Sequence, residues 1–193
     1  MSIPVVMRNP SRLLVAAFLL FGLAACDSAV LSDNVVVLRP AITAGTDGTP
    51  VRFSFQASDV GVGNLTDVRC NCELDVADYL SDRGFTKSDI TSATLESAKL
   101  VMRFPISERI DFLNQAILKF RAPGNSATEV ARQMTFPDAR VVTLTPQSGR
   151  DVSGFMDDSA FEPILQIDPA SLQAGGDYAI DLELTLRLEL RAN

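Results

Sequence analysis

The strongest periodicity in the chain lies near its C-terminal end. Ile180, Leu182, Leu184, Leu186, Leu188 and Leu190 alternate without a break against Asp181, Glu183, Thr185, Arg187 and Glu189. Successive side chains of a strand point to opposite faces, so this pattern predicts a long strand with one apolar face buried and one polar face wet. Burying the apolar face contributes on the order of 10 kcal/mol before conformational entropy opposes it. A one-residue slip would turn every leucine to water, so the strand is expected at the centre of a sheet, packed on an opposing one.

Shorter alternations precede it. Val35–Leu38 is a β-branched run stopped by Arg39-Pro40, and in 51–57 the residues Val51, Phe53, Phe55 and Ala57 oppose Arg52, Ser54 and Gln56. Further strands are expected over 66–74, 115–122, 129–136 and 139–145. Another, over 163–168, is flanked by prolines and therefore fits an edge. Loop chemistry separates them: Gly45 to Pro50, Gly61 to Asn64, and Pro123-Gly124-Asn125.

Helical spacing appears in two related stretches. Asp75 followed by Val76, Tyr79 and Leu80 predicts one or two turns within 75–85. Residues 151–161 repeat the pattern Asp-Val-x-x-Tyr/Phe-Leu/Met-x-Asp-x-Gly/Ala-Phe. Either an internal duplication or two similar plugs between sheets accounts for it, and under both the shared apolar positions belong to the core. Residues 86–104 carry two patterns. Leu95 and Ala98 suit a helix, whereas Ala98, Leu100, Met102 and Phe104 alternate with Lys99, Val101 and Arg103. We read a short turn near 87–90 and then a strand to Phe104. Residues 105–114 form a connection with helical character at Phe112 and Leu113.

About eight to ten short strands with Gly/Pro/Asn loops predict an all-β fold. The expected architecture is an antiparallel β-sandwich, immunoglobulin-like or related, with one or two short helical turns. A closed outer-membrane barrel shares the alternation, but the aromatics here form no girdles.

The first residues follow a different logic. Arg8 and Arg12 precede an apolar run, and Gly22 to Ala25 are small, which is the layout of a secretory signal. The apolar stretch 13–25 is too short to cross roughly 30 Å of hydrocarbon as a helix. Its end, Leu23-Ala24-Ala25-Cys26, resembles the lipobox of bacterial lipoproteins. The resemblance covers residues 1–26 and implies a signal peptide removed before Cys26, lipidation of Cys26, and attachment to a bacterial membrane through N-terminal acyl chains. Asp27 leaves inner and outer membrane both open. Residues 27–34 are then a tether spanning at most about 26 Å, and 35–193 a single domain in the periplasm or elsewhere in the cell envelope.

Charge and composition narrow the function. Removing the leader with Arg8 and Arg12 takes the net charge from −7 to −9, and the chain has three scattered lysines. Such a surface repels nucleic acid and anionic head groups. There is no histidine, which excludes Ser-His-Asp and Cys-His catalysis, His-ligated zinc and a histidine pH switch. Lys87, Lys99 and Lys119 do not share the spacing of a Ser-Lys nucleophile, and no carboxylate pair stands out for glycoside hydrolysis.

Cys70 and Cys72 flank Asn71. An oxidising compartment favours a disulfide, and i, i+2 bridging requires a tight turn. Free thiols, or redox or metal chemistry, remain alternatives. Asp157, Asp158 and Glu162, with Asp151, are hard-oxygen candidates for calcium, against a solvated acidic loop as the blander account. No cofactor is expected. The expected function is non-catalytic: a structural or protein-interaction module with an envelope protein as partner, bound across a sheet edge or through loops. A carbohydrate or other envelope-ligand binder is the alternative, weakened by the absence of tryptophan and by having only Tyr79 and Tyr178. A hydrolase ranks third.

Overall fold

A computed structural model describes residues 35–156 and 160–192. The leader, Cys26 and the tether therefore lie outside the described residues, as do Asp157 and Asp158. The strands are β1 (Val35–Leu38), β2 (Ala41–Ile42), β3 (Arg52–Gln56), β4 (Thr66–Arg69), β5 (Ile90–Phe104), β6 (Leu113–Arg121), β7 (Thr128–Gln133), β8 (Val141–Pro146), β9 (Glu162–Pro169) and β10 (Asp177–Arg191). One short helix, α1 (Ala77–Ser81), and three 3-10 turns, Lys87–Asp89, Ile110–Phe112 and Ser153–Phe155, complete the described elements. Every ladder between named strands is antiparallel. The protein is an all-β sandwich.

The leucine-rich strand β10 is central. One side pairs with β5 along its length, and the other meets β1, β2 and β3 in succession, as if one edge strand had been cut into three. The first sheet thus runs β1/β2/β3–β10–β5–β8, and the second β7–β6–β9–β4. A short ladder, Ala131 with Pro146 and Arg132 with Thr145, joins β7 to β8 and closes one side of the sandwich. On the other side β3 and β4 approach each other without pairing. That side is open.

The core between the sheets is built from the inward alternations, including Phe53, Leu100, Leu118, Phe120, Leu144, Leu165, Leu182 and Leu186, all fully buried. The two related stretches add Val76 and Leu80, and Val152 and Met156, to the buried core. Their aspartates act alike. Asp75 Oδ1 accepts the Ala77 N–H at 2.8 Å and Asp151 Oδ1 accepts the Ser153 N–H at 2.9 Å, each opening its turn. The residue before the first stretch meets the end of the second, since Leu74 and Phe161 exchange backbone hydrogen bonds of 2.8 and 2.9 Å.

The mixed pattern of residues 86–104 has a structural cause. The inward residues of β5 are Ala93 and Leu95, then Ala98, Leu100 and Met102. Opposite β10, Leu95 pairs with Leu186 and Ser97 with Thr185, so Glu96 is the extra residue of a β-bulge. The bulge shifts the alternation by one, which is why Leu95 and Ala98 mimic helical spacing.

Three expectations need correction. The strand around 163–168 is not an edge: β9 lies between β6 and β4. Its prolines are tolerated because β4 pairs only with Ile164–Ile167, so Pro163 and Pro169 each face one neighbour rather than two. The strand expected over 66–74 stops at Arg69, because the chain turns at Cys70 and Cys72. The polar face of β10 is not uniformly wet, as Asp181 is only 5% exposed.

Candidate functional site

The open side has a definable backbone edge. Leu182 N–H donates to Val51 O at 2.8 Å and Ala57 N–H donates to Gly176 O at 2.9 Å. In an antiparallel ladder backbone groups alternate between neighbours, so Phe53 and Phe55 turn theirs toward β10. Those of Arg52, Ser54 and Gln56 face outward. Gln56 is sealed: its N–H donates to Asp59 Oδ2 at 3.1 Å, and its carbonyl accepts the Asp59 N–H at 2.9 Å. Arg52 and Ser54 are left with N–H and C=O groups directed at the gap.

An ion cluster stands beside this edge on the outer face. Arg52 Nε and Nη2 donate to the Asp181 carboxylate at 2.6 and 3.1 Å, and Arg103 Nε donates to its Oδ2 at 2.7 Å. The Asp181 side chain is 7% exposed, whereas both guanidiniums are about half exposed. Burial pushes the Asp181 carboxyl pKa up, but hydrogen bonds from Arg52 and Arg103 outweigh it and hold the group below its ordinary value. The Arg52 guanidinium is shifted up by its hydrogen bond to Asp181. Two cations share one anion, so the cluster keeps a net positive charge.

Across the gap from Arg52 and Ser54 lies the end of β4. A cleft of about 390 Å³ runs between them, lined by Thr49, Pro50, Arg52 and Ser54 on one wall and by residues 69–72 on the other. Cys70 and Cys72 are joined by a disulfide across a Cα separation of 5.1 Å, forming the tight turn at the cleft floor. The 44–50 loop docks on that turn through Thr46 N–H to Glu73 O at 2.8 Å. Gly45 permits the approach: a Cβ there would lie 3.1 Å from Glu73 O. Beyond the disulfide, a second cleft of about 380 Å³ is acidic, with Asp47, Glu73 and Glu162 on its walls.

The other sequence candidates are dispersed. Glu162 is engaged by Arg121. Asp151 spends one carboxylate oxygen on the backbone N–H groups of Ala93 and Ser153. Among the described residues no three metal-ligating side chains converge. Lys87 pairs with Asp75 at 2.9 Å, and Lys119 with Asp67 at 3.4 Å. Tyr178 is buried and stacked on Phe55, and Arg83 covers the ring of Tyr79 at 3.7 Å. The Arg52–Asp181–Arg103 cluster had no signal in the sequence, because only the register of β3 and β5 against β10 brings the three together.

No protein-family model matches the chain, and no curated protein matches it. Among solved structures it is similar to a crystal structure of the infectious bursal disease virus VP2 subviral particle, at 16% identity and a TM-score of 0.30. The match covers 98% of this chain and spans 38% of that one. No helix among the described residues is long and apolar enough to cross a membrane.

Proposed function

We propose that the protein is a lipid-anchored component of a bacterial cell envelope, non-catalytic, whose β-sandwich binds another envelope protein at the open side between β3 and β4. The observation that carries this reading is the unpaired backbone edge of Arg52 and Ser54 beside the cleft. Edge strands with free N–H and C=O groups are templates for strand addition, and Asp59 seals the edge only at Gln56. Position supports it too. The tether leads into Val35, which pairs with Arg191, while Arg52 pairs with Asp181. The edge therefore lies about 33 Å along β10 from Val35, at roughly 3.3 Å per residue, which supports access by a partner beside an anchored N-terminus. The carbohydrate alternative loses support because Tyr178 is buried against Phe55 and Arg83 covers one face of Tyr79.

Two experiments test the reading. Metabolic labelling with a palmitate analogue is expected to mark the wild type and not Cys26→Ala; equal labelling would remove the anchor. Capture from detergent-solubilised envelopes is expected to enrich a protein on wild type that is lost on Ser54→Pro. Proline there removes the outward N–H without touching the β10 ladder. Equal capture by both proteins would remove the edge as the binding site, and binding on a glycan array without protein capture would favour the alternative.

A further inference from the structure

We infer that the segment received by the cleft between β3 and β4 is an extended acidic peptide, its carboxylates held by Arg52 and Arg69. The inference rests on the interaction reading above and specifies the partner's chemistry. Three observations converge on it. The cluster of Arg52 and Arg103 on Asp181 carries one more positive charge than negative. The guanidinium of Arg69, exposed on the opposite wall of the same cleft, makes no hydrogen bond or ion pair among the described residues. The wall between them offers the N–H and C=O groups of Arg52 and Ser54, a donor–acceptor alternation that a peptide backbone complements and a simple anion does not.

The surroundings give these charges more weight. The chain carries a net charge of −7, so its surface as a whole repels an acidic partner, while this cleft presents outward-facing arginines whose charge is not fully neutralised. Charge complementarity of this kind sets register and suppresses wrong partners more than it adds raw affinity. Guanidinium groups suit the task because they bind carboxylates with two parallel hydrogen bonds. On the walls of the neighbouring cleft, Asp47 and Glu73 oppose continuation of the partner's acidic run past the disulfide turn. The open window is also short, bounded by Pro50 at one end and the Asp59 seal at the other.

The test is fluorescence anisotropy on the full chain in detergent. The probes are short capped peptides alternating valine with glutamate, with glutamine or with lysine. Wild type is expected to bind the glutamate peptide about tenfold more tightly than the glutamine one, a difference of about 1.4 kcal/mol, with affinity falling as salt rises. Arg69→Glu, at an exposed position, is expected to keep the wild-type thermal transition and reverse the preference toward lysine. Ser54→Pro is expected to weaken every peptide. Equal binding of the glutamate and glutamine peptides, or unchanged glutamate binding by Arg69→Glu, would overturn the inference. If the glutamine peptide is then still lost on Ser54→Pro, the edge stands as an interaction site and only the acidic partner falls. Displacement of the glutamate peptide by inorganic phosphate, with Ser54→Pro without effect, would make the cleft a small-anion site and overturn the inference. Absence of any peptide binding would overturn it as well, leaving the interaction reading to the envelope capture.

Discussion

Arg103 reaches the Asp181 carboxylate at 2.7 Å because it is the extra residue of a β-bulge: Phe104 pairs with Ala179 and Met102 with Ile180, leaving Arg103 with no partner of its own on β10. A bulge re-aims a side chain that a regular ladder would commit to one face. Here it brings a second cation over an aspartate that Arg52 already holds. The result is a carboxylate lidded by guanidiniums on what is otherwise the wet face of the sheet.

Asp181→Ala leaves two arginines facing each other without their shared anion. The expected loss is about 2 kcal/mol, within the range for hydrogen bonds to charged groups once the exposure of both arginines is allowed for. Urea denaturation measures it, and an unchanged midpoint would mean that water replaces the carboxylate at no cost. The pH dependence follows the same logic. In Asp181, Asp75 and Asp151 burial raises the pKa but is outweighed, by Arg52 and Arg103, by Lys87, and by the N–H groups of Ser153 and Ala93, so each titrates below its ordinary 3.8. The unfolded chain therefore takes up protons first as the pH falls. Their contribution is complete above about 3.8 and is lost as pH drops through the lowered folded values. With no histidine, the midpoint is expected to stay flat through neutrality and to fall only in acid, less steeply in Asp181→Asn.

Deleting Glu96 is expected to be tolerated. The deletion removes the bulge residue and leaves Leu95 and Ala98 two apart, so every inward side chain of β5 stays inward. What is lost is the exposed Arg39–Glu96 pair, worth at most about 1 kcal/mol, together with local twist. Deleting Lys99 instead puts Ala98 next to Leu100 and turns one of the two buried sets to water. Circular dichroism and thermal melting should show the first variant folded and the second not. Two equally damaged proteins would refute the assignment of the bulge.

Gly45→Val tests how the 44–50 loop is held. A Cβ at this position sits 3.1 Å from Glu73 O and 3.3 Å from Asp47 Oδ1, tight enough that the loop must lift. The expected cost is about 1–2 kcal/mol, with faster hydrogen exchange at the Thr46 amide, whose bond to Glu73 O is broken first. Normal protection of Thr46 in the variant would show that the loop adapts without undocking.

Replacing both Cys70 and Cys72 by alanine is expected to cost about 1.5 kcal/mol, because a cross-link between positions so close in sequence restricts the unfolded chain little. Urea denaturation of the double variant, alongside the wild type with and without reductant, reads this directly. A loss of several kcal/mol would mean that the turn, rather than the cross-link, is what the two buried cysteines support.

Much of this architecture was legible along the chain. Local alternation made β10, β3 and the later part of β5 readable, because a strand's two faces are written in adjacent residues. Asp75 and Asp151 marked two turns because a carboxylate that caps an N–H acts within two or three positions. The bulge at Glu96 blurred β5, since one extra residue reverses which parity is buried. The prolines of β9 suggest an edge, yet proline excludes two-sided pairing only at its own residue, and the short β4 leaves Pro163 and Pro169 with one neighbour each.

Of the candidate site only the Cys70–Cys72 turn was legible; the charged cluster beside it was not. Arg52, Asp181 and Arg103 are scattered across the chain, and no local pattern distinguishes them from any other outer-face charge. By itself the sequence determined the strand faces, the end caps and the resemblance of Leu23-Ala24-Ala25-Cys26 to a lipobox, since each depends on neighbours in the chain. Only the tertiary structure decided which strands meet, that β7 and β8 close one side while β3 and β4 leave the other open, and that two arginines share one carboxylate beside the gap. Those are matters of register and sheet order, which depend on long-range packing of nearly equivalent apolar faces.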